Sequence, residues 1–176
     1  MQKKSFIKLI LTAFGNAVLA NFLGLIVTVS LAGFSNNAIV YGIAAFCSVA
    51  LFILIMFSVG HKDGEHERKL ITRKVIETPE PKKWYVIGVI VWVILCIPCI
   101  VLVMMPAASY LIFFRFACGS MFALSLLFGM REIPFWAPFI FMGIFALTPI
   151  AARYGFYIGF YDKITIDSIV YEKKKN

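Results

Sequence analysis

The chain has 176 residues, 61% of them hydrophobic, and a mean hydropathy of +0.90. A soluble domain is roughly half apolar; a chain of this size has no core large enough to hide the excess, so lipid is the expected solvent for most of it. The formal charge is +8, but Lys and Arg gather at the ends of apolar segments, which is the pattern of membrane orientation and not of nucleic-acid binding.

The opening Met-Gln-Lys-Lys-Ser-Phe-Ile-Lys followed by an apolar run imitates a signal peptide. The run is longer than a signal core and has no A-x-A site, so it reads as a retained first span over 6–31. Asn16, Ala20 and Gly24 recur at helical spacing and give that span a small, polar face suited to packing on another helix. Asn16 and Asn21 are also candidates to line a polar site. Gly33, Ser35, Asn36 and Asn37 mark a turn, and a second span is predicted over 38–60. Residues 1–60 therefore read as a transmembrane hairpin.

The only long polar stretch is 61–83, which holds seven of the seventeen Lys and Arg. It is expected to be a basic cytoplasmic loop. Asp63-Gly64 signals a turn, residues 65–76 suit a short interfacial helix or a strand, and Pro79 and Pro81 end it. His61, Asp63, Glu65, His66 and Glu67 look metal-like by composition, but Lys62, Arg68 and Lys69 between them oppose a cation. The expectation is a solvated loop, with neither metal nor cofactor. Arg68, Lys69, Arg73 and Lys74 are expected to meet anionic headgroups.

A third span is predicted over 84–105, with Trp84 and Tyr85 in the interfacial belt. Its Cys96-Ile-Pro-Cys99 has redox spacing, while Pro98 reads as a kink that neighbouring helices tolerate. Residues 107–131 are apolar except for Arg115 and Arg131. A last apolar segment over 134–160 contains Pro138, Pro149 and Arg153. The tail 162–176 carries a predicted short surface helix around Ile166, Ile169 and Val170.

Charge decides the number of spans. With the N-terminus inside and 107–131 not crossing, fourteen of the seventeen Lys and Arg lie inside. The predicted fold is thus an all-α polytopic membrane bundle. It has four spans, an outer re-entrant or interfacial element at 107–131, and a second transmembrane half over 84–161. The tail 162–176 and both termini are cytoplasmic, at the cell membrane. Five spans is the alternative. Phe57-x-x-Gly60-x-x-Asp63 is echoed by Phe156-x-x-Gly159-x-x-Asp162, as a duplicated hairpin would leave behind, or as helix exits commonly use Gly and Asp.

Gly60-His-Lys-Asp-Gly-Glu-His-Glu-Arg-Lys-Leu-Ile71, Tyr157-Ile-Gly159 and the tail Ile-Val-Tyr171-Glu-Lys-Lys-Lys resemble a loose group of small four-span membrane proteins of Gram-positive bacteria. The resemblance implies topology and membrane location, and no activity.

No catalytic triad, phosphate loop or metal spacing stands in the chain, so no enzyme is expected. The first functional reading is an accessory, scaffold or assembly subunit, with membrane lipids and a protein partner or a second copy as its contacts. The second is a small transporter or ligand-binding component for an anionic or lipid-like molecule. It would rest on Arg115, which has no acid on its own element, together with Asn16, Asn21 and Arg153. The third is a thiol oxidoreductase resting on Cys96 and Cys99.

Overall fold

The computed structural model describes residues 4–33, 37–76, 78–104, 108–127 and 136–161, and of 108–112 the backbone alone. All regular structure among these residues is helical: α1 (Phe6–Ala32), α2 (Ala38–Thr72), α3 (Pro81–Met104), α4 (Ala108–Ala117), a 3-10 turn (Gly119–Met121), α5 (Phe122–Leu127), α6 (Ala137–Phe145) and α7 (Leu147–Tyr161). Among the described residues, four stretches are long and apolar enough to cross a membrane: α1, α2, α3 and the α6–α7 pair. Their outward faces carry Ile7, Ile39, Phe46 and Leu54, each more than half exposed. So large an apolar surface is stable only against lipid. The chain is an integral membrane protein of the all-α class, with four candidate spans among the described residues.

Asn37 caps α2, its side chain accepting from the Ile39 N–H at 3.2 Å. Pro81 opens α3, a position where the missing N–H costs nothing. The last span breaks at Ala146 because Pro149 has no N–H for the Phe145 carbonyl one turn earlier. Phe52, Met56, Trp84, Phe141, Phe145 and Phe156 fill the core among the spans.

Among the described residues, 108–127 hold no helix long enough to be a fifth span. α4 and α5 have 10 and 6 residues, about 15 and 9 Å against a hydrocarbon layer of ~30 Å. The turn between them reaches into the bundle: Gly119 and Ser120 sit against Asn21 and Gly24 of α1, and a methyl group on either α1 or turn glycine would meet the other's backbone. From there α5 climbs back along the start of α2, with Ala123 on Ala44 and Ala45 and Leu127 beside Gly42. The described part of the element thus packs its turn against the middle of α1 and its last helix against the start of α2.

The predicted 61–83 loop is corrected. α2 has 35 residues and continues through Thr72, so Asp63-Gly64 is mid-helix and 65–76 is neither a separate interfacial helix nor a strand. The cause is tertiary. Gly60 and Gly64 lie flat on α7, where a methyl group would overlap the carbonyl oxygens of Ala152 and Phe156. In return, Gly155 and Gly159 of α7 lie on the carbonyls of Phe57 and His61. Both helices rise through the seam in the same direction, so two small-x-x-x-small surfaces face each other in parallel. The glycines of the internal echo, Gly60 and Gly159, both belong to this seam. Each glycine costs a helix interior about 1 kcal/mol, and the close backbone approach offsets it. The tail 162–176, its predicted helix and Arg131 lie outside the described residues.

Candidate functional site

Where α2 runs on past its apolar stretch, it turns two acids inward. Asp63 and Glu67 stand one turn apart on the face toward α1 and α3, and both are buried. Asp63 accepts from Lys4 Nζ at 3.1 Å through Oδ1. Its Oδ2 accepts from Lys83 Nζ at 2.8 Å and from the indole Nε1 of Trp84 at 2.9 Å. Glu67 pairs with the same Lys83 through Oε1, and its Oε2 takes the Glu80 N–H at 3.2 Å. Lys83 Nζ also lies 5.4 Å from the Phe156 ring centroid.

Local sequence explains the geometry. The acids share a helix face because they are four apart. Lys83 and Trp84 fall in the first turn of α3, whose N-terminal partial charge favours carboxylates beside it. Lys4 precedes α1 and reaches across. Two carboxylates and two ammonium groups thus close a neutral cluster joining α1, α2 and α3. Removing one partner would strand buried charge.

Beside the cluster a cavity of about 370 Å³ runs between α1 and α2. Lys4, Thr12, Asn16, Ser58, Lys62 and Asp63 give it a polar wall. It extends to Leu19 and Ile55.

The structure spreads the sequence-predicted residues over several places. Asn16 lines the α1–α2 cavity, and its Nδ2 donates to the Thr12 carbonyl at 2.8 Å. Asn21 is a buried clasp for the turn at 119–121: its Oδ1 accepts from the Ser120 hydroxyl at 2.6 Å and the Ser120 N–H at 3.2 Å. Arg115 is half-buried with its guanidinium carbon 5.5 Å from the Phe122 ring centroid. Its Nε has no partner among the described residues. It lines neither the cavity that takes in Asn16 nor the apolar one that takes in Asn21. Arg153 lies apart, with Tyr85, Tyr154 and Tyr157 around a shallow pocket. Lys69, Arg73 and Lys74 are exposed at the tip of α2 and Arg68 is half-buried there.

Reading 61–67 as a solvated loop missed Asp63 and Glu67. A signal was present: Asp63 and Glu67 keep the same four-residue step as Gly60 and Gly64. Trp84, expected in the lipid-facing belt, is fully buried because its N–H is committed to Asp63. Tyr85 alone faces outward there. All four cysteines are free thiols; Cys96, Cys99 and Cys118 are buried, and Cys47 is exposed.

The fold and this cluster define a multi-pass helical membrane protein with a charge-neutral clasp at its basic end. Compared with known protein families, characterised proteins and solved structures, the chain matches none.

Proposed function

We propose that the protein is a non-enzymatic accessory, scaffold or assembly subunit of a membrane complex, lying in the cell membrane with both termini and the α2 tip in the cytoplasm. The observation that carries this reading is the tip itself. The Gly60–Gly64 seam and the ion cluster hold α2 as one continuous helix through Thr72, acids turned inward and Lys69, Arg73 and Lys74 exposed. With Gly60 taken as the edge of the hydrocarbon layer, Lys69 stands about 14 Å farther along the helix, beyond a headgroup layer only ~5–8 Å deep. Bases held that high suit an acidic protein surface better than lipid phosphates. The likeness to small four-span proteins of Gram-positive bacteria is part of the same proposal.

Purification in mild detergent tests it. A stoichiometric protein should co-purify with the native chain and be lost from the Lys69→Glu, Arg73→Glu variant, whose fold is unchanged. Retention by that variant would remove the tip from the account. Thiol labelling of an Asn176→Cys variant should fail in intact cells and succeed once the membrane is breached. Labelling from outside would reverse the orientation.

The α1–α2 cavity favours a second reading, a membrane component that holds an anionic amphiphile.

A further inference from the structure

We infer that the α1–α2 cavity seats the phosphate headgroup of an anionic phospholipid, between Lys4 and Lys62 and above the amide of Asn16. This deepens the second reading and is independent of the docking role of the α2 tip.

Three observations converge. First, the cavity wall is polar where lipid would demand apolar groups. Asn16 stands ten residues into α1, about 15 Å from its start, and Thr12 and Ser58 lie on the same wall. The Asn16 Nδ2 spends one of its two hydrogens on the Thr12 carbonyl, and the second remains as a donor for an acceptor in the cavity. The Thr12 hydroxyl spends its hydrogen on the Lys8 carbonyl at 2.8 Å, so the donors left to an anion on this wall are the Asn16 amide and the lysines. Polar groups at that depth are costly unless water or a polar ligand meets them.

Second, the charges do not cancel. Asp63 and Glu67 are balanced by Lys4 and Lys83 within the clasp. Lys62, on the cavity wall and exposed, has no acidic partner among the described residues. The site therefore carries an excess positive charge and suits a monoanion.

Third, the shape is amphipathic and open to the side. Thr12 and Leu19, both in the lining, are exposed on the outer surface of α1. An occupant enters from the bilayer, lays its chain on Leu19 and Ile55, and leaves its head beside the lysines. A soluble phosphate would gain the charge but nothing from the apolar half. Phosphate of a membrane lipid uses both.

The test uses the full chain with Trp92→Phe and Trp136→Phe, so that Trp84, itself in the cavity lining, is the only indole. The protein is reconstituted into phosphatidylcholine vesicles containing a minor fraction of either brominated phosphatidylglycerol or brominated phosphatidylcholine. The anionic lipid should quench Trp84 about fivefold more effectively at equal mole fraction, the factor expected for one basic residue at a membrane surface. Lys62→Gln and Asn16→Leu should each reduce the preference toward unity. Lys69→Gln, which changes the same net charge outside the cavity, should keep it. Equal quenching by the two lipids, or equal loss in Lys62→Gln and Lys69→Gln, would overturn the inference. So would full loss of the preference on adding inorganic phosphate, which would assign the cavity to a soluble anion. Unchanged co-purification of the protein partner in Lys62→Gln separates this site from the α2 tip.

Discussion

α2 has two flanks that were built by opposite rules. Toward α7 it presents Gly60 and Gly64, and the backbones touch with no side chain between them. Toward α1, at the same height, it presents Ser58, Lys62 and Asp63, and a cavity of about 370 Å³ remains. The dry flank is close-packed backbone, which tolerates nothing added. The polar flank is held at its margin by ion pairs and left open in the middle. One helix can thus be fixed permanently on one side and keep room on the other, because glycine sets the distance on the first and long charged side chains set it on the second.

The largest effect is expected from breaking the dry flank. Gly60→Leu with Gly159→Leu drives two side chains into backbone carbonyls. The loss should exceed the ~1–3 kcal/mol of ordinary overpacking and leave no folded chain in detergent, measured by unfolding monitored through tryptophan fluorescence. A stable double variant would mean the two helices do not meet there.

Asp63→Leu attacks the margin of the open flank. It strands Lys83 beside Glu67 alone and leaves the Trp84 N–H without its acceptor. The expected cost is about 3 kcal/mol, at the low end for a broken buried pair, because Lys4 is 36% exposed and keeps its water. A double-mutant cycle with Lys83→Leu should show strong coupling; additive losses would dissolve the cluster as a unit.

Asn21→Leu carries the comparison to the turn at 119–121, which is clasped by a neutral amide and not by charges. About 1–3 kcal/mol should be lost as the Ser120 N–H and hydroxyl go unpaired. The buried Cys118 should react faster with thiol reagents, and an unchanged rate would mean the turn does not depend on Asn21. The Cys96→Ala, Cys99→Ala variant removes only thiols from the interior of α3 and should lose about 1–2 kcal/mol while keeping its partner. Smallest is Lys69→Glu with Arg73→Glu at the tip, within about 0.5 kcal/mol by the same unfolding measurement.

Composition and charge were enough to read the class and four helices long and apolar enough to cross. Those depend on one-dimensional quantities: apolar length against bilayer thickness, and where the lysines fall. The first span, the start of the second and the place of Pro98 within a helix are legible for the same reason. Asp63, Gly64 and Glu67 were not. In a short window, Asp-Gly is a turn and an acid among lysines is solvated. Only the surface of α7 beneath the glycines, and the lysine and indole that open α3, make the same residues a buried helix. Arg115 drew attention as the lone charge in an aromatic run, whereas its position beside Phe122 depends on how the turn at 119–121 folds back. Sequence alone determined what must lie in lipid, because that is a sum over residues. Which polar groups face one another was decided by tertiary structure, because it depends on two helices meeting at a distance that no stretch of either one specifies.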